Sequence, residues 1–245
     1  MKKRPFRVVA AIILVGVMIG LAGCPAKAKP AMGAGFITAE NLTHSPKYPF
    51  QKVWFKDNVD WSRYTEIHIA PVNTNHLLAM DWWKKVERGA WVEEDVEKLA
   101  QYTRNTFQEA FGEDEKRRFT VVEVPGPRTL IGEIALVEVV PSKVTLNLIG
   151  YAPFVGTAAK LLRSTTSKSS VAFEARVRDG DTGEIVALFA DREWEKAAPV
   201  NVKDLTWYGH AESILWEWAH QFVKVANRKS GEAVKDSEPF TLKPL

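Results

Sequence analysis

A single cysteine, Cys24, in 245 residues leaves no possibility of an intramolecular disulfide. The chain also lacks the short motifs that announce common chemistries. It has no Gly-x-Ser-x-Gly elbow, no phosphate-binding loop and no dinucleotide fingerprint. Its histidines, His44, His68, His76, His210 and His220, are scattered, and none makes an i, i+4 pair. His210-Ala211-Glu212 is not the His-Glu-x-x-His arrangement that binds zinc on a helix. Asp179-x-Asp181 begins like a calcium loop, but Gly183 stands where the third oxygen ligand belongs. The reading is therefore no catalytic residues, no metal and no cofactor, and a chain that is not an enzyme.

A lasting excess of charge is missing too. Four of the 33 basic residues (Lys2, Lys3, Arg4, Arg7) precede Cys24 and none of the 30 acidic ones does, which leaves 29 against 30 beyond it. With no basic field, nucleic acid is not an expected partner.

The N-terminus is informative. The cationic start is followed by an apolar run from Val8 to Ala22, too short and wrongly flanked for a stop-transfer helix. The run ends in Leu21-Ala22-Gly23-Cys24, which resembles the lipobox of bacterial lipoproteins: an aliphatic residue, two small residues and a cysteine that accepts lipid. A plain transmembrane anchor with an incidental cysteine is the competing reading. The resemblance implies a cleaved signal peptide over 1–23, an S-diacylglycerol and N-palmitoyl Cys24, and attachment to a membrane through that covalent lipid. Two or more acyl chains make such anchoring stable. Pro25, rather than Asp, follows Cys24, and by resemblance to known sorting rules this implies the outer membrane with the domain facing the periplasm.

Residues 24–35, rich in Ala, Lys, Gly and Pro, read as a flexible tether, and 230–245 as a loosely ordered tail. A single domain over 36–229 lies between. Glu66–Pro71 reads as a strand, and Val53-Trp54-Phe55 with Trp61 as cover for a sheet edge. Val92, Val96, Leu99, Thr103, Phe107 and Ala110 recur at helical spacing and predict a helix over 92–111. Strands are expected over 119–124 and 130–140, and a hairpin over 170–178 and 184–193 around Asp179-Gly180-Asp181-Thr182-Gly183. Trp207, Ala211, Ile214, Leu215, Trp218, Phe222 and Val225 share one face of a final helix, about 202–227. The order predicts an α+β, two-layer α/β fold: a mixed or mainly antiparallel sheet of about five strands with two main helices packed on it.

Two features suggest a contact surface. The segment from Val139 to Phe173 contains no acidic residue and carries an apolar run with Leu146, Ile149, Tyr151 and Phe154. It reads either as a loop that meets a membrane or partner, or as a buried crossover. Trp216 lies opposite the core-facing stripe of the last helix, where the segment Phe36–Phe55 is expected to cover it unless it marks a docking surface.

The run Ser170 to Glu184 (SVAFEARVRDGDTGE), continuing to Ala190-Asp191-Arg192-Glu193, resembles an uncharacterised bacterial lipoprotein family, domain of unknown function 3313. Trp61–Val72, with Tyr64 and Pro71, resembles its first strand, and Trp207-Tyr208-Gly209-His210 with Trp218-Ala219 its closing helix. The likeness spans roughly 36–228. It implies an exported α/β lipoprotein and supplies no activity, substrate or site residue. The expected role is a non-enzymatic interaction or accessory module with an envelope protein partner. An auxiliary subunit of an envelope lipid or solute transport system is the alternative, and an envelope polymer hydrolase a weaker one.

Overall fold

The computed structural model describes residues 28–31, 33–38, 40–79, 89–140, 169–194 and 208–236. Six strands form one mixed sheet in the spatial order β1-β6-β5-β4-β2-β3. They are β1 (Lys52–Phe55), β2 (Glu66–Ile69), β3 (Thr120–Val121), β4 (Thr129–Val140), β5 (Ser170–Asp179) and β6 (Ile185–Trp194). β4, β5, β6 and β1 pair antiparallel, whereas β2 pairs parallel with both β3 and β4. A 3-10 turn (Trp61–Arg63), a short helix α1 (Asn75–Ala79) and two long ones, α2 (Gly89–Gly112) and α3 (Gly209–Asn227), complete the described elements. The fold is thus α+β, with one strand more than expected. The sixth strand is β1, whose residues form the sheet edge rather than covering it.

The strand pattern explains the long meander. In β5, Val171, Phe173, Ala175 and Val177 point to the helical layer, and Ser170, Ala172, Glu174 and Arg176 point away. The imperfect alternation of β4 has a cause: the register shifts by a bulge between Leu136 and Glu138, which returns Val139 to the inner face. On the outer face Arg176 and Arg178 converge on Glu133, and Arg192 pairs with Glu138 at 2.7 Å. These opposite charges sit across neighbouring strands and fix that register.

The turn between β5 and β6 is built around Asp179. Its Oδ1 accepts from the Asp181 and Thr182 N–H groups at 2.8 and 3.1 Å, closing an Asx turn. Gly183 takes the positive φ of 71° that ends it. Oδ2 accepts from the Tyr64 hydroxyl and the Arg63 guanidinium, both at 2.7 Å, so the hairpin is tied to the start of β2. Gly180 is dictated by close approach: a Cβ there would lie 2.5 Å from the Gly126 carbonyl oxygen and 2.8 Å from that of Thr129.

α2 and α3 lie side by side on the inner face and run in the same direction. Tyr102 donates to the Glu212 carbonyl near one end, and Asn227 donates to Asp114 at 2.8 Å near the other. Leu99, Leu136, Ile214 and Leu215 are fully buried between the layers. Each such side chain contributes about 1.5–3 kcal/mol. Trp218 is also fully buried, against Phe173 at a centroid distance of 4.6 Å. Ala211, Ile214, Leu215 and Trp218 confirm the predicted stripe, with Phe222 and Val225 half-buried on it. Trp207 lies outside the described residues.

The segment read as a tether lies on the sheet from Ala28 onward. Ala28 N–H donates to the Arg192 carbonyl at 3.2 Å. The Glu174 carboxylate accepts from the Ala34, Phe36 and Ile37 N–H groups at 2.7, 3.0 and 3.1 Å. Arg176 stacks over the Phe36 ring. A buried acid on the outer face of β5 thereby satisfies a strand-less peptide.

Candidate functional site

Small side chains open a chamber between the layers. Across the sheet, register aligns Phe55, Ala187, Val177, Gly132 and Ile69 in one row of β1-β6-β5-β4-β2, and Phe189, Ala175 and Ile134 in the next. Gly132, Ala175 and Ala187 thus fall on three central strands within two adjacent rows. Above them, Phe107 and Phe111 of α2 and Phe222, Val225 and Ala226 of α3 form the roof. The missing side-chain volume is not filled from above, and a cavity of about 470 Å³ remains. Ligand sites commonly fall between about 300 and 1,000 Å³.

The walls are aromatic, built from Tyr48, Phe55, Trp61 and Phe119. Polar groups are few. Arg118, Arg228 and Lys229 are the cations that join the lining, while the Arg176 side chain is turned to the outer face. Arg118 donates to the carbonyls of Trp61 (2.6 Å) and Tyr64, with its guanidinium 4.4 Å from the Phe119 ring centroid. Arg228 donates to the Glu232 carbonyl (2.9 Å) and the Tyr48 hydroxyl, and lies 4.4 Å from the Tyr48 centroid. Burial pushes the Tyr48 hydroxyl pKa up, against the pull of Arg228, so it stays a neutral donor and acceptor. Glu133 borders the chamber from β4, but its carboxylate lies on the outer face and is held below the usual carboxylate range: burial opposes ionisation, but Arg176 and Arg178 outweigh it.

A second polar cluster lies under α3. The Trp218 indole N–H donates to Asp191 Oδ2 at 2.9 Å and to Glu193 Oε1 at 3.2 Å, and the Gln51 N–H donates to Asp191 Oδ1 at 3.2 Å. Both acids are buried on one face of β6, yet neither borders the chamber. The indole donates to both, and they act as its acceptors within the core.

Of the residues expected to form a contact surface, only Trp216 falls among those described; Leu146, Ile149, Tyr151 and Phe154 do not, and neither does Cys24. Trp216 is 44% exposed and stacks on His220, one helical turn on, at a centroid distance of 3.8 Å. Among the described residues the N-terminal segment does not cover it: Glu174 draws residues 34–37 to the opposite face of the sheet, and Phe50 packs on Phe222 of the inner stripe. Among the described residues no group of His, Cys, Asp and Glu is arranged to hold a metal, and no helix is long and apolar enough to cross a membrane. His44 and His68 each use Nδ1 on a backbone carbonyl, of Gln51 and Val122.

The molecule is thus a sheet-and-helix domain enclosing an apolar chamber with a cationic margin. A family profile described as "Protein of unknown function (DUF3313)" matches residues 34–222, and the chain belongs to that family. The quoted strand–turn–strand run falls inside the match. Curated protein sequences yield no significant match. Among solved structures, the PelC dodecamer from Paraburkholderia phytofirmans is similar in two crystal forms, C2 (a point variant) and P6. Each shares 7% identity and covers 72% of this chain, with 98% and 97% of the PelC chain covered and TM-scores of 0.37 and 0.38. A likeness that distant carries no argument.

Proposed function

We propose that this protein is a bacterial envelope lipoprotein, anchored by lipid on Cys24 to the outer membrane and facing the periplasm. Its domain is a non-enzymatic module that holds an apolar ligand. The chamber carries the second half of this reading: 470 Å³ lined by aromatic and aliphatic groups, with few polar side chains to direct chemistry. The lipobox-like Leu21-Ala22-Gly23-Cys24 supports the first.

The two halves are tested separately. Radiolabelled palmitate should enter the mature protein, globomycin should block processing, and Cys24→Ala should accumulate uncleaved. A normally processed, unlabelled product sinks the anchor. For the chamber, the apolar dye N-phenyl-1-naphthylamine should brighten on the full-length wild type and bind at least fivefold more weakly to Ala187→Phe, which puts a ring into the floor. Equal binding to both sinks the chamber. The same chamber favours a second reading, an auxiliary subunit through which an envelope transport system passes a lipid or apolar solute. Crosslinking followed by co-purification should then recover transport components, and their absence argues against it.

A further inference from the structure

We infer that the ligand of this chamber is a single-chain amphiphile with an anionic head that matches guanidinium, a carboxylate or a phosphate monoester. The inference rests on the chamber reading above and narrows it.

Volume sets the tail. An engineered cavity of about 150 Å³ takes one benzene, so by proportion 470 Å³ accommodates about 18 carbons in close contact. That is one long acyl chain and not two. The shape agrees: the floor runs across five strands, from Phe55 through Ala187, Val177 and Gly132 to Ile69, which suits an extended chain better than a compact ring system.

Charge sets the head. A guanidinium carries five N–H donors. Arg118 and Arg228 each give two to neutral oxygens, and no carboxylate lies within ion-pair distance of either among the described residues. Both are half-buried at the margin of an apolar space. The Glu133 carboxylate faces the other side of the sheet and is committed to Arg176 and Arg178. Asp114, beside the Arg118 backbone, is committed to Asn227 and to the Lys116 and Arg118 N–H groups. Cations in an apolar margin are stabilised by an anion from outside, and the Phe119 and Tyr48 rings hold the two guanidinium planes ready for one. Lys229, exposed at the same margin, adds to the attraction.

The test uses the mature protein extracted from membranes and held in amphipol, with cis-parinaric acid as the fluorescent probe. Competitors are oleate, oleyl phosphate, oleyl alcohol and dioleoyl phosphatidylglycerol. Oleate, oleyl phosphate or both should displace the probe about tenfold better than the uncharged alcohol, since a charge-assisted pair is worth about that factor. Which of the two wins identifies the head. The two-chain lipid should compete poorly. Arg228→Gln should bring the acid and the alcohol to equal competition; Arg118→Gln is the second variant, and thermal unfolding confirms that each is folded. Equal competition by alcohol and acid in the wild type overturns the anionic head and leaves the apolar chamber standing. A probe that does not bind, or binds undiminished to Ala187→Phe, overturns both.

Discussion

Replacing Tyr64 by Phe isolates the tie between the β5–β6 turn and the start of β2. Tyr64 is 1% exposed, and its hydroxyl is 2.7 Å from Asp179 Oδ2. The carboxylate retains Arg63 and two backbone N–H groups after the change, so it is not orphaned. The loss is therefore one buried hydrogen bond to a charged acceptor, about 2 kcal/mol. In a domain of this size that lowers Tm by about 4–8 °C. A pH signature accompanies it. Burial and the Asp179 carboxylate push the Tyr64 pKa up to about 12, against about 10 in the unfolded chain. A raised folded pKa stabilises fully below the unfolded value and ceases to as pH climbs through the folded one. The wild-type advantage should thus hold to pH 10 and vanish between pH 10 and 12. Urea unfolding at pH 8, 10 and 12, followed by far-ultraviolet circular dichroism, measures both effects. Equal midpoints at pH 8, or a gap between the two proteins that persists unchanged to pH 12, would refute the reasoning.

Three further outcomes follow from the same geometry. Gly180→Ala forces a Cβ against two backbone carbonyls, and its unfolding free energy should fall by about 1–3 kcal/mol although the residue is glycine in a surface hairpin; calorimetry checks it. Trp218→Phe removes the indole donor from Asp191 and Glu193 and should cost about 1–3 kcal/mol in urea unfolding beyond the volume lost, whereas a similar change at exposed Trp216 should cost less than about 0.5 kcal/mol. For Asp179, burial acts to raise the pKa, but the Tyr64 hydroxyl, two N–H groups and Arg63 prevail and lower it; Glu133 is lowered likewise by its two arginines. Depressed carboxylate pKa values stabilise above the unfolded values near 4 and stop doing so as pH falls through the folded ones. Acid unfolding of the wild type should accelerate below about pH 4, and Glu133→Gln should lose less than the wild type over that range.

Local signals carried most of the architecture. The alternation in β5 and β6, the Asp-Gly-Asp-Thr-Gly turn and the stripe of α3 are each set by neighbours within a few residues. β1 escaped because four residues give too short an alternation, and its partner β6 lies more than 130 residues away. The chamber escaped for a related reason. Gly132, Ala175 and Ala187 look like ordinary fillers in their own strands, and only the register brings them into adjoining rows. Arg118 and Arg228 read as surface charge until their aromatic supports are known. Helical periodicity puts Trp216 off the core stripe, and it is 44% exposed; the path of residues 34–37 depends on Glu174, a long-range partner that periodicity does not report. The run quoted for the family likeness also acquires a physical meaning. Asp179, Gly180 and Gly183 set the turn, and the turn holds Tyr64 and Arg63 in place.

The hydrogen bonds from residues 34–37 to Glu174, and from Ala28 to Arg192, have a geometric corollary. Three residues separate Cys24 from Ala28, so the four Cα–Cα steps reach at most about 14 Å when fully extended. If Cys24 carries the lipid, the domain does not swing on a long leash. It rides close to the bilayer with the outer face of its sheet turned toward the anchor. The segment bound by Glu174 and the chamber lie on opposite faces of the sheet, so the sheet would stand as a partition between that anchor and the chamber.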